Sequence, residues 1–64
     1  MSDYYPLIAR AVESLSEKSP ELRRAVYDRA RSALTEQLRA LDPPVSEADI
    51  ARERRSLDDA IGRI

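Results

Sequence analysis

The sequence predicts an all-α protein, a three-helix antiparallel bundle with a long central helix, completed by dimerisation. Three observations predict it. No glycine or proline interrupts Glu21 to Leu41, and good helix formers dominate there. Two helix-start patterns, Ser19-Pro20-Glu21 and Ser46-Glu47-Ala48-Asp49, divide the chain. Apolar residues then recur at helical spacing in each of the three segments they delimit.

The first helix is expected over about residues 4–16, with Ser2 or Asp3 as its cap and Pro6 in the tolerated first turn. Tyr4, Ile8, Ala11, Val12 and Leu15 define one face, which Leu7 widens at its edge. Glu13, Ser14 and Glu17 fall outside that face. The helix fades around Ser16 to Lys18, with no glycine to close it. So short a connection to Ser19 forces an antiparallel hairpin.

The central helix, about residues 20–41, opens on a Ser19 cap, a Pro20 whose φ suits the first helical position, and a Glu21 that complements the helix dipole. At 100° per residue, Leu22, Val26, Tyr27, Ala30, Ala33, Leu34, Gln37, Leu38 and Leu41 occupy an arc of roughly 160°. Contact with one neighbouring helix needs a narrower stripe, so the arc predicts at least two. Arg24, Asp28, Arg31, Ser32, Thr35 and Arg39 lie opposite, and Arg23 alone falls inside the arc, near its start, where its stem packs and its head reaches water. The helix ends at Leu41-Asp42-Pro43-Pro44, because a residue before proline is driven out of the α region.

The third helix is expected over about residues 47–63. Ser46 and Asp49 form a capping box in which aspartate replaces the usual glutamate, and Val45 with Ile50 forms a hydrophobic staple. Ile50, Leu57 and Ile64, joined by Ala60 and Ile61, make a narrow stripe suited to one main contact. Charged residues flank it, with Asp59 and Arg63 spaced for an ion pair. Gly62 weakens the last turn, and an apolar final residue, Ile64, implies a natural chain that continues further. Ala11, Ala30, Ala33 and Ala60 lie in or beside the apolar faces and permit close helix approach.

Length and composition limit the chain to a single helical domain, residues 1–64, with 36% charged and 42% hydrophobic residues. Folding of a 7.3 kDa chain buries about 6,000 Å². If about three fifths of that is apolar, burial contributes on the order of 90 kcal/mol, against an ordering cost on the order of 95 kcal/mol. A domain so near balance needs a disulfide, a metal or a partner. There is no cysteine and no histidine, which leaves association with a second copy or another protein as the remedy. A net charge of -1 provides no field to recruit nucleic acid or anionic lipid. No apolar run approaches a membrane span, and no leader pattern opens the chain, so direct membrane insertion is not expected and the cytoplasm is the default compartment.

The residues do not assemble an enzyme. Without histidine, a serine nucleophile would need a carboxylate or Lys18, the sole lysine, as its base. Asp58 with Asp59, or Asp49 with Glu53, read as solvated helix faces because short helices offer no pocket to shift their pKa values. A single glycine excludes a phosphate-cradling loop, and no calcium-binding spacing occurs, so no cofactor or metal is expected. Ten of the eleven basic residues are arginine, with adjacent pairs at Arg23-Arg24 and Arg54-Arg55. Those four are the candidate contacts of an alternative reading, a nucleic-acid-binding regulator. Interleaved acids at Glu21, Asp28, Glu53, Asp58 and Asp59 argue against it and point to ion pairing between helices or along the surface.

Tyr4 is expected to cap the core and Tyr5 to lie on the surface, the alternative being a partner-facing anchor beside Pro6. Gln37 on the apolar arc needs a partner for its amide, and a symmetric Gln37–Gln37 contact across a dimer axis would supply one. The expected interface is Tyr27, Ala30, Leu34, Gln37, Leu38 and Leu41.

Taken together, YYPLIARAVESL, SPELRRAVYDRARSAL and PPVSEADIARERRSLDDAI resemble a recurring helical module of bacterial hypothetical proteins, chiefly from alphaproteobacteria. Arg23-Arg24-Ala25-Val26-Tyr27 and Ser46-Glu47-Ala48-Asp49-Ile50 are the most specific pieces. The resemblance implies a compact module, found near the N-terminus of longer proteins, some with membrane-spanning stretches downstream. It brings no assigned activity or site residues. The leading expectation is therefore a non-enzymatic self-association module. A further alternative is the cytoplasmic regulatory head of a longer membrane-associated protein.

Overall fold

A computed structural model describes residues 3–64, and among them there are three α-helices and no strand: α1 (Tyr5–Glu13), α2 (Pro20–Ala40) and α3 (Glu47–Gly62). Each boundary has a local cause. Before α1, Tyr4 already has helical φ and ψ (-88°, -6°) and its carbonyl accepts from the Ile8 amide. The N-cap is thus Tyr4, with no side-chain cap, and not the expected Asp3, which lies one residue earlier and accepts from the Tyr5 amide at 3.1 Å. Ser2, the other expected cap, lies outside the described residues.

The periodicity predicts α1 to about residue 16, yet it ends at Glu13. Side chains close it in place of glycine. The Ser14 hydroxyl donates to the Ala11 carbonyl at 2.8 Å, and Lys18 Nζ donates to the Glu13 carbonyl at 3.2 Å. Carbonyls satisfied in this way no longer require another helical turn.

α2 opens with Ser19 extended (ψ 150°) and its Oγ accepting from the Leu22 amide at 3.2 Å. It stops one residue before the position that Pro43 constrains directly, since Leu41 is already extended at ψ 151°. The Val45 amide closes the corner on the Leu38 carbonyl.

Ser46 Oγ accepts from the Asp49 amide at 3.1 Å, but only this half of the expected capping box forms. The Asp49 carboxylate, one methylene shorter than glutamate, pairs with Arg52 at 2.9 Å instead. Ser46→Ala is expected to destabilise the domain by about 1 kcal/mol, measured as a lower midpoint of chemical unfolding. An unchanged midpoint would show that water replaces the hydroxyl at no cost.

The core is small. Ile8, Val12 and Leu57 form its centre, and Tyr4, Tyr27, Ala30, Leu34 and Ile61 pack around them half-buried. Ile50 and Ala60 are also buried, whereas Ile64 is exposed. α3 thus contributes three fully buried residues, α1 two, and α2, the longest helix, none. Arg39 at the end of α2 pairs with Glu47 at the start of α3 (3.1 Å), and Arg31, two turns earlier, pairs with Asp58, three turns further on (2.8 Å). Tyr4 joins α1 to α3 by donating its hydroxyl to Glu53.

Arg63 does not take the expected partner, Asp59. It reaches Asp3 at 3.1 Å, and its guanidinium lies 4.9 Å from the centre of the Tyr5 ring. One contact therefore gives it both a carboxylate and an aromatic face. The radius of gyration is 12.5 Å, against about 11 Å for a compact domain of this length.

Candidate interaction surface

The wide arc of α2 divides in two. Tyr27, Ala30 and Leu34 pack against the core formed by α1 and α3, and Leu38 is half-buried. Leu22, Ala33, Gln37 and Leu41 are exposed, Leu41 at 53%. Of the six expected interface residues, four therefore turn wholly or partly toward their own chain, and Gln37 and Leu41 face outward. A nine-residue helix cannot cover a 21-residue one. At 1.5 Å per residue, α1 spans about 14 Å of the roughly 32 Å of α2.

An apolar trough follows from this mismatch. It has two adjoining hollows of about 180 and 400 Å³, which share Leu7, Ile8, Ala30 and Ala33. Tyr4, Leu34 and Gln37 extend it toward the end of α2, and Ala11, Leu15 and Val26 toward its start. Leu7 stands on its rim, 66% exposed, the most exposed large hydrophobic side chain of the described residues. Sequence reasoning placed Leu7 at the edge of the α1 face and missed this role. The available signal was that Leu7 lay outside the five-residue pattern from Tyr4 to Leu15.

The side of α2 beside Arg54 is polar, with Glu36 at its margin nearest the trough. Arg31, Ser32, Thr35, Glu36 and Arg54 line an open hollow of about 330 Å³ between α2 and α3. The hydrogen bond that Arg31 Nε donates to Asp58 raises the pKa of the guanidinium above its ordinary value, against the opposing effect of desolvation, and Asp28 at 3.1 Å adds to the rise. Arg31, a cation at any ordinary pH, clips α3 to α2 through Asp58.

The two arginine pairs do not converge. Arg54 borders Thr35, while Arg24 lies 11 residues earlier on α2, about 16 Å along the helix. Nor do these four enter ion pairs. Among the described residues, the paired arginines are Arg31, Arg39, Arg52 and Arg63, so the ion pairing expected of Arg23, Arg24, Arg54 and Arg55 is absent. Three of the five acids meant to neutralise them are engaged elsewhere, Asp28 and Asp58 with Arg31 and Glu53 with Tyr4.

Among the described residues no group of three or more His, Cys, Asp or Glu side chains could hold a metal ion, and no helix is long and apolar enough to cross a membrane. The trough combines apolar area, concavity and a protruding side chain, which suits it to receiving a helix. No family model, curated protein or solved structure matches this chain.

Proposed function

We propose that this chain is a single helical domain whose function is non-enzymatic self-association: an antiparallel three-helix bundle that a second copy completes. One observation carries the reading. The longest helix, with nine residues on an apolar arc, has no fully buried residue in the isolated subunit. In a bundle complete by itself, the central helix supplies much of the core. Here the core residues come from α1 and α3, and α2 holds apolar surface in reserve.

Sedimentation equilibrium of the whole chain tests this. A dimer is expected at micromolar concentration, with circular dichroism showing the same helix content in the associated state. A helical, cooperatively folded species that stays monomeric at about 100 μM would overturn the proposal, because a Kd weaker than that corresponds to under about 6 kcal/mol of association.

A further inference from the structure

The residues of α2 and its C-cap that run along the trough have a symmetry of their own, Leu22, Ala33, Gln37 and Leu41 exposed and Val26 and Ala30 half-buried. Along the trough and its continuation the positions are Leu22, Val26, Ala30, Ala33, Gln37 and Leu41, and they mirror one another about the midpoint between Arg31 and Ser32. Residues whose numbers add to 63 form three such mirror pairs: 22 with 41, 26 with 37, and 30 with 33. A twofold interface demands this arrangement, since one patch must complement itself. We infer, resting on the self-association reading, that the partner is a second copy of this chain whose α2 lies antiparallel along the first, with the dimer axis at that midpoint.

In this register Val26 meets Gln37 of the partner subunit and Ala30 meets Ala33 of the partner subunit. Leu22 and Leu41 close opposite edges of the stripe at the two ends of a seam about 28 Å long, and the small residues fall at the crossing. Leu7 adjoins Ala30 and Ala33 in both hollows, so it stands beside the axis. Gln37 faces Val26 of the partner subunit and not its own symmetry mate.

Charge complementarity independently favours a second copy. Arg29 and Glu36 flank the seam seven residues apart, and neither forms an ion pair within the described residues of its own chain. In an antiparallel helix pair, flanking positions meet two residues beyond the core register, as 29 and 36 do. Arg29 thus faces Glu36 of the partner subunit, and the symmetry makes the contact twice. The chain exposes 4863 Å², against about 4,200 Å² for a compact monomer of this mass. The excess of roughly 700 Å² goes with a slim bundle, 39 × 19 × 15 Å in extent, whose long helix is left partly uncovered.

The test uses the full chain, which contains no cysteine. The double variant Val26→Cys/Gln37→Cys, oxidised with glutathione disulfide at a concentration where the wild type sediments as a dimer, is expected to give a covalent dimer as the main product. The two positions lie about 16 Å apart on one helix, too far for an internal disulfide. Covalent dimer from Gln37→Cys alone, or none from the double variant, overturns the register while self-association stands. A wild-type monomer overturns both. Two surface variants give a readout independent of cysteine packing. Arg29→Glu is expected to weaken the dimer about tenfold at low ionic strength, and Arg29→Glu/Glu36→Arg to return it to within about twofold of wild type. Absence of that recovery overturns the register.

Discussion

Leu57→Ala is expected to abolish the cooperative thermal transition or lower its midpoint by roughly 15 °C. Leu57 is 2% exposed and is the largest fully buried side chain of the described residues, in contact with the Ile8 and Val12 cluster of α1. Truncating such a leucine costs about 3 kcal/mol in lost transfer energy and residual cavity. A domain of this size has about 3–10 kcal/mol in all, and each kcal/mol moves its midpoint by about 4–8 °C. α2 adds no fully buried residue that could take over the role. Differential scanning calorimetry checks the outcome. A midpoint within about 2 °C of wild type would mean that the interior collapses freely around the deletion, and that Leu57 does not anchor α3.

Leu7→Glu is expected to do the reverse, leaving the subunit folded and removing the dimer. At 66% exposure Leu7 contributes little to the subunit's own core. In the proposed dimer it stands beside the axis, so two copies would be buried together. Full burial of a leucine contributes about 1.5–3 kcal/mol, and a carboxylate at each site adds a desolvation cost. The dimer Kd should rise by more than a hundredfold while the helical signal at 222 nm persists. Sedimentation velocity and circular dichroism on the same sample read both quantities. A dimer of undiminished strength would place the interface away from the trough.

The two substitutions separate properties that one small core joins. Tyr4, Leu34 and Ala30 border the trough on one side and the Leu57 cluster on the other. A cavity beneath α2 therefore disturbs both fold and association, whereas a charge on the rim disturbs association alone. The exposed ion pairs of Arg39 with Glu47 and Arg63 with Asp3 carry little of either, because solvent screens them.

The sequence by itself determined where helices start and how the chain turns between the second and third. Ser19, Ser46 and the Pro43-Pro44 corner act through hydrogen bonds and steric contacts within about four residues of themselves, and such effects are legible without a fold. It also announced that α2 carries more apolar surface than one neighbour needs. Only the tertiary structure decided which part of that surface turns inward, because the rotation of α2 depends on how α1 and α3 fill the space beside it. Tyr27 and Leu34 therefore went to the core and Gln37 and Leu41 to the outside, although periodicity treats all four alike. The same holds for contacts far apart in sequence. Arg63 chose Asp3, 60 positions away, over its helical neighbour Asp59, because the end of α3 lies beside the start of α1. Leu7 became the exposed rim of a trough for a related reason: α1, closed early by Ser14 and Lys18, is too short to cover the helix beside it.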